Sequence, residues 1–159
     1  MSTVKTTRWI YGLAAFGTVT TFFGHGMWAI SGKDSFVKLM TGTFEKVFNA
    51  NIDVNTATNL VKFIGWADIT IAVVLSLAAI GYLRKKASPA LQNLATSRLV
   101  LALYAWAVFW GFMTALSRVT AAGEIYPEIW DLVERGPNFA LPAIGLILTH
   151  QAMRRSRHP

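Results

Sequence analysis

The feature that most constrains this sequence is a set of four long apolar runs that are almost free of charge. They cover residues 9–30, 63–83, 99–116 and 138–153. A helix needs about 20 residues to cross ~30 Å of hydrocarbon, and the first two runs reach that length without their flanks. Hydrophobic residues make up 53% of the 159 positions, which is too many for a small soluble domain. The sequence therefore predicts an all-α chain, an integral membrane four-helix bundle.

The charged residues outside the runs divide unequally between the two sides of such a bundle. The N-terminus, the loop after the second run and the C-terminus share one side, which has no acidic residue and carries Lys5, Arg8, Arg84, Lys85, Lys86, Arg98, Arg154, Arg155 and Arg157. The opposite side holds every acidic residue except Asp68. The positive-inside rule then predicts that both termini are cytoplasmic. The net charge of +7 reflects this topology and does not indicate a nucleic-acid partner.

Two loops on the acidic side have helical patterns of their own. In "DSFVKLMTGTFEKVF" the apolar residues recur at helical spacing, which predicts an amphipathic helix lying in the outer interface. In "YPEIWDLVERGPN" a helix is predicted to begin near Pro127 and to stop at Gly136. Asn138 is predicted to cap the last run. No repeat, linker or low-complexity tract divides the chain, so residues 1–159 are predicted to form a single domain with short interfacial helices in the two outer loops.

A polar cluster is predicted in the outer half of the bundle, on the acidic side. A carboxylate inside a span costs roughly 2.5–3.5 kcal/mol, so Asp68 should face the interior and have a partner. His25 lies at a similar depth in the first run. The same ends of the other two runs add Arg118, Glu134, Arg135 and Asn138. Every run thus contributes to the outer half, and the cytoplasmic half is expected to contribute no polar residue within its spans.

Two glycines, Gly24 and Gly26, flank His25 in "FFGHGMWAI". Small residues allow membrane helices to approach closely. Both glycines are therefore predicted to give clearance beside His25 for a neighbouring helix or a ligand.

The chemistry of this cluster has several interpretations. His25 is either a structural hydrogen-bond donor to Asp68 or a ligand, and Asp68 either pairs with Arg118 to fix helix register or has a catalytic role. Glu134 and Arg135 are either interfacial charges or part of a site. A metal site built from His25, Asp68 and Glu134 would suit zinc, iron or manganese.

Other chemistry is excluded by composition and spacing. The chain has no cysteine, which rules out thiol chemistry, thiolate metal sites and an iron–sulfur cluster. Haem held by two histidines of this chain is not expected, because His25 and His150 fall at opposite ends of the predicted bundle.

Several short motifs resemble those of small bacterial membrane proteins of the DoxX-like family. They are "FFGHG" in the first run, "GWADI" in the second, "TALSR" followed by "GE" after the third, and "ERGPNFALP" leading into the fourth. The resemblance extends from about Phe22 to Leu148. The positions that match the pattern of the family are His25, Asp68, Arg118, Glu124, Glu134, Arg135 and Asn138.

The resemblance implies a multi-pass protein of the bacterial inner membrane, in a group that includes small subunits of quinone-linked enzymes. The leading hypothesis is a non-catalytic subunit or accessory of a larger membrane redox or energy-transducing complex. Its partners would be the lipid bilayer and either other membrane subunits or further copies of itself. Its polar cluster would either contact a quinone or only stabilise the bundle. The alternatives are a small membrane enzyme or a metal- or quinone-binding protein that uses the cluster, and a small proton-linked transporter.

Overall fold

The computed structural model describes residues 3–84, 86–122 and 129–157. All regular structure within these residues is helical, which confirms the predicted all-α class. Four helices are long: α1 (Thr3–Ile30), α3 (Val54–Leu83), α5 (Arg98–Ala122) and α7 (Pro137–Arg157). Three are short: α2 (Asp34–Phe48), α4 (Pro89–Ala95) and α6 (Ile129–Glu134).

Each of the four apolar runs lies within one long helix, and each helix extends beyond its run at one end or at both. Helix α3 begins well before residue 63 because Asp53 caps it, accepting hydrogen bonds from the backbone N–H groups of Asn55 and Thr56. The hydroxyl of Thr56 also donates to this carboxylate at 2.6 Å. The Thr56 hydroxyl and amide hold the pKa of Asp53 below its ordinary value.

The short helices match the sequence patterns to different degrees. The amphipathic helix is confirmed as α2, which covers the whole predicted segment and packs against α3 and α5. Helix α4, in a stretch interpreted from the sequence only as a loop, begins after Ser88, whose hydroxyl accepts a hydrogen bond from the backbone N–H of Leu91. Helix α6 ends at Glu134, close to the predicted stop, whereas Pro127 lies outside the described residues.

The predicted N-cap of the last long helix, Asn138, is wrong. Helix α7 begins at Pro137, so Asn138 is already inside it, and the Asn138 backbone N–H donates to the Arg135 carbonyl oxygen. Proline at the first helical position has a suitable fixed φ and gives up an N–H that the helix does not use. The side chain of Asn138 is therefore available for another role.

The long helices pack as antiparallel neighbours. Helix α1 contacts α3 and α7, α5 contacts α7, and α3 meets α5. The ring of Tyr11, early in α1, lies 4.1 Å from that of Tyr82, late in α3, whereas Gly26 meets Gly65 at the other end. The start of α1 and the end of α7 consequently lie at the same end of the molecule.

Small residues fill the space between these helices, and large apolar residues point away from it. Alanines dominate the buried positions, among which Tyr11, Leu75 and Tyr104 are the largest fully buried apolar side chains. By contrast, Phe16 is 69% exposed and Phe63 is 73% exposed. An extended apolar exterior of this kind is typical of a surface that contacts a membrane or another protein.

Two of the described helices, Val54–Leu83 and Arg98–Ala121, are long and apolar enough to cross a membrane. The hydropathy of α1 is lowered by His25 and several threonines, and α7 ends in basic residues. The membrane prediction is thus supported for two of the four runs, and the full four-span topology stays a prediction.

Candidate functional site

One small cavity lies where the four long helices converge. Its lining consists of Thr21, Phe22 and His25 from α1, Asp68 from α3, Trp110, Gly111 and Thr114 from α5, and Asn138 from α7. The cavity volume is about 10 Å³, which is on the order of the space that one water molecule needs. Three of the residues predicted to cluster, His25, Asp68 and Asn138, are therefore brought together.

A close crossing of α1 and α3 positions the histidine and the carboxyl group. A Cβ atom at Gly65 would lie 2.7 Å from the Gly26 carbonyl oxygen, and one at Gly26 would lie 2.8 Å from the Gly65 carbonyl oxygen. The two backbones are thus in direct contact beside His25 and one turn before Asp68. The predicted clearance for a neighbouring helix is confirmed for Gly26, whereas the Cβ position of Gly24 meets open space and no described helix approaches it.

A second close contact brings α7 to the cavity. Gly111 of α5 packs directly against the backbone carbonyl of Asn138, leaving no room there for a side chain. The rings of Phe112 and Phe139 meet edge to face beside this contact, with centroids 5.6 Å apart. The first turn of α7 is thereby fixed on α5, and Asn138 reaches the cavity.

Asp68 is buried without a charged partner. Only 5% of the residue is exposed. Within the described ranges, neither His25 nor Arg118 forms an ion pair with its carboxyl group. The ion pair with Arg118 that the sequence suggested is not formed; Arg118 is half-buried one turn beyond Thr114, outside the cavity lining.

His25 is half-buried beneath helix α2. The ring of Phe36 meets the imidazole edge to face, with centroids 6.0 Å apart. The positive charges of Arg135, Arg118 and Lys33 act on His25 electrostatically. Lys33 is in turn held over the Trp28 ring, with its Nζ 3.7 Å from the centroid. Helix α2 therefore lies over His25 at this end of the cavity, and three cationic side chains act on the imidazole.

The remaining predicted site residues lie outside the cavity lining. Glu134 is exposed at the end of α6, and Arg135 is half-buried. The Nε atom of Arg135 is buried and has no hydrogen-bond partner among the described residues. Glu124 lies outside the described residues. Among the residues that the structure describes, no three His, Asp or Glu side chains come together as a metal site, so His25, Asp68 and Glu134 do not form a ligand set.

Several residues of the cavity lining were not predicted from the sequence. Thr21 lies four positions before His25, and Thr114 three positions after Gly111, so helical spacing places each pair on one face. That spacing was the available signal. Trp110 gave no such signal, because one aromatic residue in an aromatic row does not indicate which member faces inward.

A second polar group occupies the other half of the molecule, where none was expected. The hydroxyls of Tyr11, Tyr104 and Thr149 are all buried and face one another, without a close hydrogen bond between any two of them in the described part of the chain. The rings of Tyr11 and Tyr104 lie edge to face, 6.3 Å between centroids. The expectation of an apolar cytoplasmic half is wrong, because tyrosine contributes mainly packing area and its hydroxyl enters the interior with it.

The cavity is suited to binding a water molecule or holding a proton. It combines a carboxyl group, an imidazole, an amide and two threonine hydroxyls, all of which exchange hydrogen bonds with water. A quinone head group is many times larger than one water molecule and does not fit this space as the helices stand.

In comparisons with protein-family models, curated proteins and solved structures, nothing matches this chain.

Proposed function

We propose that the chain is a DoxX-like four-span protein of the bacterial inner membrane and a non-catalytic subunit or accessory of a larger membrane redox or energy-transducing complex. The observation that carries this proposal is the distribution of side-chain size, with small residues between the helices and large apolar residues outside. Interfaces between membrane helices are enriched in small residues in this way, because lipid is as apolar as leucine.

The burial of the two most apolar helices supports the membrane assignment. Only 33% of the apolar window of α3 and 28% of that of α5 is buried inside the molecule. The central helix of a soluble protein is mostly buried, since its apolar surface must be removed from water. The remaining apolar surface of α3 and α5 requires lipid or a neighbouring protein.

The size of the polar cavity argues against an enzymatic site at His25 and Asp68. An active site must admit its substrate, and sites for small molecules typically span about 300–1,000 Å³. The space between His25 and Asp68 holds about one water. The outer faces, with Trp66 at 62% and Phe109 at 53% exposure, offer much more surface for binding another membrane subunit.

Topology can be tested with single cysteines, because the natural chain has none. Ser35→Cys in α2 and Asn93→Cys in α4 both replace exposed residues at opposite ends of the long helices. A membrane-impermeant maleimide should label Ser35→Cys in intact spheroplasts and Asn93→Cys only after the membrane is permeabilised. Equal labelling of both in intact cells contradicts the proposed orientation.

The accessory role can be tested by isolation from native membranes in mild detergent. A photo-crosslinking residue at the outward position Trp66 should capture a partner subunit, and the same residue at Leu75, which is fully buried, should not. Absorbance and metal content are measured on the same sample. A lone protein with no crosslink, no partner and no quinone would refute the proposal.

A proton-linked transporter is the second candidate, and the observation that favours it is the buried carboxyl of Asp68, which has no ion-pair partner among the described residues. Ionisable residues inside membrane spans mark proton relays in pumps and transporters. In proteoliposomes, Asp68→Asn should then abolish proton flux driven by a membrane potential, while Asp53→Asn, outside the spans, should not. Equal flux through wild type and Asp68→Asn excludes this candidate.

A further inference from the structure

A long groove between α5 and α7 lies at the opposite end of the molecule from the polar cavity. Its volume is about 660 Å³, and it is lined by Arg98, Leu101, Ala102, Ala105, Leu146, Ile147, His150, Met153 and Arg154. This volume is within the range of about 300–1,000 Å³ that small-molecule sites occupy. The groove is thus large enough for a ligand, whereas the polar cavity is not.

The groove exists because one of its walls carries short side chains. Ala102 and Ala105 of α5 leave space that Leu146 and Ile147 of α7 do not fill. The two helices are in close contact further along, at Gly111 and Asn138, and the groove opens from there toward the start of α5. Its inner part is apolar and suits a hydrocarbon chain.

The mouth of the groove is cationic. Arg98 opens α5, and His150 and Arg154 are four residues apart and therefore on one face of α7. All three side chains are exposed. The sequence contains no Asp or Glu in residues 69–123 or 135–159, so neither helix has an acidic residue that could neutralise these cations. An apolar groove with an unneutralised basic mouth is complementary to an anionic amphiphile.

We propose that this groove binds an anionic phospholipid, with one acyl chain along Ala102 and Ala105 and the phosphate between Arg98 and Arg154. The inference rests on the proposed membrane topology, which places this end in the cytoplasmic leaflet. Basic pockets between membrane helices on that side bind anionic head groups. A zwitterionic lipid fills the groove equally well but gains less from the two guanidinium groups.

The test compares phosphatidylglycerol with phosphatidylcholine of the same acyl chains. The full-length protein in detergent is titrated with each lipid, and bound lipid is counted by native mass spectrometry. Wild type should bind phosphatidylglycerol more tightly, and Arg98→Gln and Arg154→Gln should each reduce that preference about fivefold. Arg155→Gln, which removes an exposed charge beside the groove but outside its lining, should leave the preference unchanged.

A second pair of variants tests the acyl-chain position. Ala105→Leu narrows the groove and should weaken binding of both lipids, whereas Ala67→Leu, at an exposed position on α3, should not. Equal affinity of wild type for the two lipids, or an equal effect of Arg155→Gln and Arg154→Gln, would overturn the inference. Alkaline carbonate extraction distinguishes failure of the lipid site from failure of the proposed function. A chain that stays in the membrane but shows no lipid preference refutes the lipid site alone. A chain that is extracted refutes the proposal that it spans the membrane.

Discussion

Replacing Gly65 with alanine should loosen the crossing of α1 and α3. The added methyl group would lie 2.7 Å from the Gly26 carbonyl oxygen and 2.9 Å from both the Ala29 Cβ and the Ile30 backbone nitrogen. Two of these neighbours are backbone atoms, and the third is a Cβ fixed to its backbone, so none can turn aside. The helices must move apart by several tenths of an ångström, which also separates His25 from Asp68.

The expected cost follows from two opposing contributions. Overpacking a well-filled interior costs typically 1–3 kcal/mol, and alanine gains up to about 1 kcal/mol over glycine in helix propensity. Because all three contacts are with atoms that cannot turn aside, the overpacking cost lies in the upper part of its range, about 2–3 kcal/mol, and the free energy of unfolding should fall by about 1–2 kcal/mol. At roughly 2–4 °C per kcal/mol for a chain of this size, the unfolding midpoint should fall by about 2–8 °C.

Gly24→Ala is the matched control, because it lies in α1 next to the same histidine and has no atom within 4 Å of its Cβ position. Only the propensity gain applies there, so its midpoint should equal or exceed that of wild type. Thermal unfolding of the three proteins in one detergent, followed by circular dichroism, provides the comparison. If Gly65→Ala is as stable as Gly24→Ala, the crossing does not depend on backbone contact.

Three further predictions address polar residues. Asp68→Asn should keep or raise the unfolding midpoint, because it removes a buried carboxyl that has no ion-pair partner among the described residues. A large decrease in the midpoint would reveal a stabilising interaction of the carboxylate. Tyr104→Phe should change the free energy of unfolding by no more than about 1 kcal/mol, since its buried hydroxyl makes no close hydrogen bond within the described part of the chain; a loss of about 2 kcal/mol or more in chemical denaturation contradicts this. The pKa of Asp53 is lower in the folded chain, so its ionised cap stabilises the fold above the ordinary pKa of 3.8 and loses this effect as the pH falls through the folded value. The advantage of wild type over Asp53→Asn in thermal midpoint should therefore be present at neutral pH and disappear in acid.

The elements that depend on local pattern were predictable from the sequence. The apolar spacing of residues 34–48 predicted α2 over its whole length. Each of the four apolar runs predicted one of the long helices. The start signal of α4 was also present, as serine followed by proline, and only the shortness of the segment hid it. Proline likewise decided the start of α7 against Asn138.

The inward direction of His25, Asp68 and Asn138 was predictable, because a polar side chain in an apolar helix has few other places to face. Their partners were not. Whether Arg118 reaches Asp68 depends on helix rotation and on which glycines permit contact, and one turn of α5 separates the two outcomes. The buried hydroxyls of Tyr11 and Tyr104 were missed for a related reason, since tyrosine fits both an interior and an interfacial position.

The small residues between the long helices limit the substitutions that this sequence can accept during evolution. Exposed apolar positions on the outside of the helices need only remain apolar, so Leu, Ile, Phe and Trp can replace one another there. Positions such as Ala15, Ala72 and Ala107, which are at most 2% exposed, are limited by side-chain volume instead. Homologues that diverged from this chain would keep small residues at helical spacing along each long helix after most of the sequence identity had been lost.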